Sequence, residues 1–167
     1  MNYHNITKDD TLNGEGVRVV LWVSGCSHYC QGCQNSQTWN PLSGIPFDDN
    51  AKHELFMELS RPYITGITFS GGDPLNKANI RTILALAKEI KQKFPKKTIW
   101  VYSGYTLSEI INADENDEDM KLRLELLRIS DVFCDGKFMQ DLYDSTLHWV
   151  GSSNQNVIYL KDKLIER

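Results

Sequence analysis

Val17-Arg18-Val19-Val20-Leu21-Trp22-Val23-Ser24-Gly25-Cys26-Ser27-His28-Tyr29-Cys30-Gln31-Gly32-Cys33 runs a β-rich apolar segment straight into a loop of three thiols. The near-continuous apolar character of Val17 to Ser24 suits a strand covered on both faces. Gly25 ends it. Cys26, Cys30 and Cys33 then fall within eight residues. Thiolates are soft ligands that select iron–sulfur clusters, zinc or copper(I). A four-iron cluster normally takes four cysteines. Three would leave one iron without a protein ligand, and an open position marks a catalytic metal site. A zinc ion completed by His28 or Cys134 is the competing reading, although no second Cys/His module of the usual kind is present. On spacing alone both stay open.

The rest of the chain repeats the strand-then-loop arrangement. Asp48 is positioned to cap a helix over Asp49–Ser60, whose apolar face is Ala51, Leu55, Phe56 and Leu59. Gly66 to Ser70 reads as a short buried strand, followed at once by Gly71-Gly72-Asp73-Pro74. Ile80, Ile83, Leu84, Ala87, Ile90 and Phe94 recur at helical spacing, so a helix is expected over Asn79–Phe94, stopped by Pro95. Thr98 to Tyr102 is a third strand, with Ser103-Gly104 behind it. Helices are expected over Leu107–Asn112 and Asp119–Ile129, separated by an acidic connection. Asp131 to Cys134 is a fourth strand, followed by Asp135-Gly136-Lys137. Asn156 to Leu160 reads as a last strand.

Strand–helix alternation predicts an α/β fold with a parallel sheet and right-handed crossovers. Parallel α/β sheets bind ligands at the C-terminal ends of their strands. All four unusual loops occupy such ends, so they are expected to converge on one site. Singly, each has a plain structural reading. Gly71 to Pro74 is also an ordinary turn before a helix, and Asp135 with Lys137 also an ordinary surface turn. Ser103 says little alone. Cys134, inside a strand, reads as a small buried hydrophobe. His4, His53 and His148 have no partner at metal spacing.

Composition narrows the class. The chain has 167 residues, of which 41% are hydrophobic and 24% charged, with a net charge of −4. That suits one domain over residues 1–167. It carries no basic footprint for nucleic acid, and no apolar run approaches the ~20 residues of a membrane span. Met1-Asn2-Tyr3-His4 lacks the apolar core of a signal peptide. The expected compartment is the cytoplasm, where thiols stay reduced and four cysteines point to metal or catalysis before disulfides.

These residues together resemble the radical S-adenosylmethionine enzymes, in their glycyl-radical activase branch. Cys26, Cys30 and Cys33 match the three-cysteine motif. Asn13-Gly14-Glu15-Gly16-Val17-Arg18 is similar to the Asp/Asn-Gly-x-Gly-x-Arg signature of that branch. Gly71-Gly72-Asp73-Pro74 resembles the Gly-Gly-Glu-Pro motif that receives the methionine amino group, with Asp in place of Glu. Asp135-Gly136-Lys137 resembles an Asp-x-Lys motif at a later strand end. Met1 to His4, Val23 to Cys26, Ser70 to Leu75, Asp135 to Gln140 and Gly151 to Gln155 narrow the resemblance to the activases of anaerobic ribonucleoside-triphosphate reductases. Two positions depart from the wider pattern. Gly32 stands where an aromatic often precedes the third cysteine, and Val101 where pyruvate formate-lyase activases carry an Asp.

The resemblance implies a partial, open (β/α) barrel, since a full one needs ~250 residues. It implies a four-iron, four-sulfur cluster on Cys26, Cys30 and Cys33 as the catalytic centre. It implies S-adenosylmethionine held by Gly32, Cys33, Gln34, Gly71, Gly72, Asp73, Ser103, Asp135 and Lys137. Reductive cleavage of that cofactor would place a glycyl radical on the large subunit of the reductase, with electrons from a donor such as a flavodoxin. A radical enzyme acting on a small molecule, such as a deazaguanine synthase, and a non-catalytic metal-binding module are the alternatives.

Overall fold

The computed structural model describes residues 1–114 and 116–162. Glu115 of the acidic connection and residues 163–167 at the C-terminus lie outside the described residues. Seven strands form one sheet in the order β3-β1-β2-β4-β5-β6-β7. They are β1 (Asn2–Asp10), β2 (Arg18–Val23), β3 (Ile45–Pro46), β4 (Gly66–Gly71), β5 (Thr98–Tyr102), β6 (Val132–Asp135) and β7 (Asn156–Tyr159). The helices are α1 (Asp49–Leu59), α2 (Ile80–Lys93), α3 (Leu107–Ile111) and α4 (Glu118–Ile129). None among the described residues is long and apolar enough to cross a membrane.

The four central strands β2, β4, β5 and β6 run parallel, as the alternation predicts. The flanks correct that reading. β1 pairs antiparallel to β2, β3 antiparallel to β1, and β7 antiparallel to β6. The outer strands β3 and β7 are not paired with each other, so the sheet is not closed. β1 escapes a pattern search for a physical reason. Its two buried side chains, Tyr3 and Ile6, are three residues apart, because the register shifts between Tyr3 and Asn5. An extra residue at such an irregularity carries the next side chain to the same face.

The pleat sorts the central strands into two faces. Val19, Leu21, Val23, Ile67, Phe69, Ile99, Val101 and Phe133 pack in one core with apolar residues of α1, α2 and α4. Ile80, Ile83, Leu84, Leu86, Ala87 and Ile90 are the buried residues of α2, each large one contributing roughly 1.5–3 kcal/mol. The opposite, inner face carries Trp100, Val132 and Cys134, packed with Tyr102, Trp149, Val150 and Val157. Cys134 is thus a core residue, as its strand position suggests.

At the N-terminal end of the inner face lies Arg18, fully buried. Its guanidinium donates to Thr68 Oγ1 (2.8 Å), Thr98 Oγ1 (2.9 Å) and the carbonyls of Glu15, Ile67 and Thr98. It also stands 5.3 Å from the Trp100 ring. Burial lowers its pKa to about 10, which leaves it charged at neutral pH. This one side chain ties β2, β4 and β5 together at the end away from the cysteines.

Candidate metal centre

The cysteine loop is pinned at its two ends and left open between them. Gly25 N–H donates to Thr38 O (2.7 Å) and Cys26 N–H to Trp39 O (3.0 Å). Cys33 N–H closes a turn on Cys30 O (3.1 Å). Tyr29 and Gly32 take positive φ, 49° and 74°. At Gly32 a Cβ would run into the Gln140 amide oxygen. The space beside Gly32 is therefore filled from the segment after β6.

All three cysteines are free and half-buried. Backbone N–H groups are aimed at each sulfur: His28 and Tyr29 at Cys26, Phe138 at Cys30, and Asn35 at Cys33 Sγ (3.4 Å). Burial outweighs those bonds, pushing the Cys26 thiol up to about 11 and raising that of Cys30. A metal cation is what would draw off those protons. N–H···S bonds around partly buried thiolates are also the environment that sets iron–sulfur potentials. The donor set fits a cluster on both counts. Among the described residues no three His, Cys, Asp or Glu side chains gather as ligands of a single ion. A cubane takes each thiolate on a different iron, so its ligands do not share one coordination sphere.

The loops after β4 and β5 come up beneath the cysteines. Gly71 has φ 103°, and a Cβ there would lie 2.7 Å from Val23 N; one at Gly72 would lie 2.6 Å from Gly25 O. These glycines let two loops approach each other. Asp73 is buried, and its carboxylate accepts from Ser103 Oγ (2.9 and 3.0 Å), Leu75 N–H (2.8 Å) and His28 Nε2 (2.6 Å). Asp135 is also buried. Its oxygens take Leu107 N–H (2.8 Å) and Asn156 Nδ2 (2.9 Å). Lys137 is exposed, and its positive charge acts on Cys30. The Gly151–Gln155 segment braces this corner: Gln155 Nε2 donates to Gly136 O and Asn154 Nδ2 to Lys137 O, both at 2.8 Å.

A cavity of about 450 Å³ opens on the inner face. Cys33 and Gln34 lie at its edge, Trp22, Ser70 and Tyr102 come from three parallel strands, and residues of the stretch Tyr143 to Gln155 line it too. Its size suits a small-molecule ligand. Of the predicted cofactor contacts, only Cys33 and Gln34 line it. Asp73 and Ser103 are brought together beside His28 of the loop, whereas Asp135 is engaged by Leu107 and Asn156.

Sequence reading left out several residues that build this site. Asn79 donates from Nδ2 to Ser24 O (2.8 Å) and Asp73 O (2.9 Å), joining the loops after β2 and β4. His28 appeared as a candidate zinc ligand and not as a partner of Asp73. Tyr105 and Arg123 carried no signal, and Gln140 entered only as the end of the stretch Asp135 to Gln140. The one available hint was a polar Asn next to a glycine-rich turn, and its side chain makes no helix-cap bond.

Residues 12–158 match a family described as a 4Fe-4S single cluster domain. The anaerobic ribonucleoside-triphosphate reductase-activating protein of Pasteurella multocida is 42% identical over 161 residues, covering 95% of this chain and 97% of that protein. The protein of the same name from Escherichia coli K12 is 42% identical over 163 residues, covering 96% of this chain and all of that protein. Its counterpart from Enterobacteria phage T4 is 43% identical over 157 residues, covering 94% and 93%. With a half-buried cysteine trio at the end of its parallel strands and this identity along nearly its whole length, the chain belongs to the family of anaerobic ribonucleoside-triphosphate reductase-activating proteins, and to their 4Fe-4S single-cluster domains.

Proposed function

We propose that the protein activates an anaerobic ribonucleoside-triphosphate reductase, holding a four-iron, four-sulfur cluster on Cys26, Cys30 and Cys33 with S-adenosylmethionine beside it. The observation that carries this reading is the half-buried sulfur trio, each sulfur met by backbone N–H, next to a cavity of about 450 Å³. When bound, the cluster supplies the electron that splits S-adenosylmethionine into methionine and a 5′-deoxyadenosyl radical, which takes a hydrogen from a glycine of the reductase large subunit. The chain's own part is to hold, orient and exclude water. Ser70 offers the cavity a hydroxyl, and burial raises the Tyr102 pKa, keeping its phenol neutral. Tyr143, Leu147 and Trp149 give the cavity an apolar side. The exposed Lys137 offers a cation for the cofactor's carboxylate.

A primary carbon radical reacts with what it meets first, so the target glycine must be brought alongside. The open sheet, read as a partial (β/α) barrel forming one domain, admits a loop from the partner. Tyr159 donates to Glu15 Oε1 at 2.5 Å, tying β7 to the segment before β2, which supports that curl. The partner's contact is assigned to the open edge, not to the acidic connection around Asp114–Asp119. The electron donor is assigned to the flavodoxin type and the compartment to the cytoplasm.

Anaerobic reconstitution with iron and sulfide tests the reading. Brown protein that forms 5′-deoxyadenosine from S-adenosylmethionine under reduction is expected. Colourless protein holding zinc alone, with no 5′-deoxyadenosine, would overturn it.

A further inference from the structure

Residues 27–29 form the part of the cysteine loop with no backbone support. Among the described residues, no backbone–backbone hydrogen bond is made by Ser27, His28 or Tyr29. Yet two sulfur positions, Cys26 and Cys30, depend on how this stretch runs. Side chains hold it: Asn76 Nδ2 reaches Ser27 Oγ at 3.5 Å, Tyr29 meets the Trp39 ring at 5.2 Å, and the deepest of these contacts is made by His28. Its Nε2 meets Asp73 Oδ2 at 2.6 Å, and the two side chains are only 7% and 2% exposed. An ionised carboxylate only accepts, so Nε2 is the donor.

The ring is enclosed as well as bonded. The Tyr105 ring meets it edge to face, centroids 4.7 Å apart at 77°. Arg123, reaching from α4, lies 4.2 Å over Tyr105 and donates from Nε to Leu75 O (2.9 Å). Gly104 leaves the space the imidazole fills, since a Cβ there would run into the ring. Asp73 is fixed from its other side by Ser103 and Leu75 N–H, and its carbonyl by Asn79. A histidine bonded to a buried carboxylate and held edge to face against an aromatic is a rigid strut, and rigid support is what a preorganised site requires.

We infer that His28 is the positioning residue of the cysteine loop, anchored on Asp73, and that the Asp73 carboxylate serves this anchor and not a ligand's ammonium group. The inference rests on the reading of Cys26, Cys30 and Cys33 as cluster ligands. Three donors already occupy the Asp73 carboxylate, and it does not line the cavity.

The test compares wild type, His28→Leu, His28→Gln and Asp73→Asn after anaerobic reconstitution, following iron release to a chelator. His28→Leu should lose iron about 10- to 100-fold faster, the usual effect of removing a group that orients a metal ligand. His28→Gln, whose amide N–H reaches the same oxygen, should stay within about 3-fold of wild type by the same reasoning. Asp73→Asn should release iron faster than wild type; a cluster as durable as wild type with only weakened S-adenosylmethionine binding would restore the ligand role and overturn the inference. A second measurement needs no metal. In the metal-free protein, alkylation followed by mass spectrometry should show Cys26 and Cys30 more reactive in His28→Leu, with Cys134 and far-ultraviolet circular dichroism unchanged. Wild-type iron retention and wild-type alkylation in His28→Leu would overturn the inference, as would equal losses in the Leu and Gln variants. Failure of the wild-type protein to take up iron would instead sink the cluster reading, and the alkylation pattern would still decide the role of His28.

Discussion

Cys26, Cys30 and Cys33 each stand in a different local environment, and among the described residues the two other candidate donors are engaged elsewhere. His28 Nε2 is engaged by Asp73, and Cys134 is packed against the inner face in β6. Cys26→Ala, Cys30→Ala and Cys33→Ala should therefore each abolish iron uptake, whereas Cys134→Ala should keep full iron and sulfide content at a cost of about 1 kcal/mol in unfolding free energy. Loss of the cluster in the Cys134 variant would show the ligand assignment to be wrong. Gly104→Ala places a methyl group in the space of the His28 ring. Its expected outcome is accelerated iron release with unchanged helix content, read by chelator assay and circular dichroism. The cysteines were legible from spacing because three thiols in eight residues are a local signal. His28 with Asp73, Arg123 with Leu75 and Asn79 with Ser24 were not, since the partners are 45, 48 and 55 residues apart and nothing local marks them. Asp73 and Ser103 were singled out as cofactor contacts, and their bonds to each other could not be read from sequence.

The helices follow from caps and periodicity. Asp48 accepts from Ala51 N–H at 2.9 Å, and α1 begins at Asp49 as its cap implies. Thr106 and Glu109 form a capping box on α3. Asp48→Ala should lower stability by about 1 kcal/mol, measured by denaturant melting, and leave iron content unchanged because α1 is remote from the cysteine loop. Expected ends fell within a residue of those found: α2 runs Ile80–Lys93, with Asn79 and Phe94 as its caps. The strands divided differently. Those buried on both faces were readable as apolar runs. β1 was not, because it is polar, irregular in register and buried at only two positions. Strands β1 and β3 and the antiparallel direction of β7 consequently came from the structure, while the parallel centre that carries the site, and β7 as a strand, came from the sequence.

At the scale of the molecule, the sheet separates support from chemistry. One face packs the helices, and the other faces the cavity. Arg18 closes the far end of the inner face with all its donors engaged by β4, β5 and Glu15 of the segment before β2. Lys in its place offers three donors on a flexible stem and cannot match the planar fork. Arg18→Lys should therefore cost about 2 kcal/mol or more through buried acceptors left unpaired, seen as a lower melting temperature of the metal-free protein. The opposite end carries the cysteine loop, which follows β2. One experiment bears on this whole arrangement: electron paramagnetic resonance of the reconstituted protein mixed anaerobically with the reductase large subunit, a reductant and S-adenosylmethionine. The expected result is a glycyl-radical doublet, lost when the partner's glycine is replaced by alanine while 5′-deoxyadenosine formation continues. No doublet with the intact reductase and a competent cluster, or a full-strength doublet from the alanine variant, would contradict the activase function.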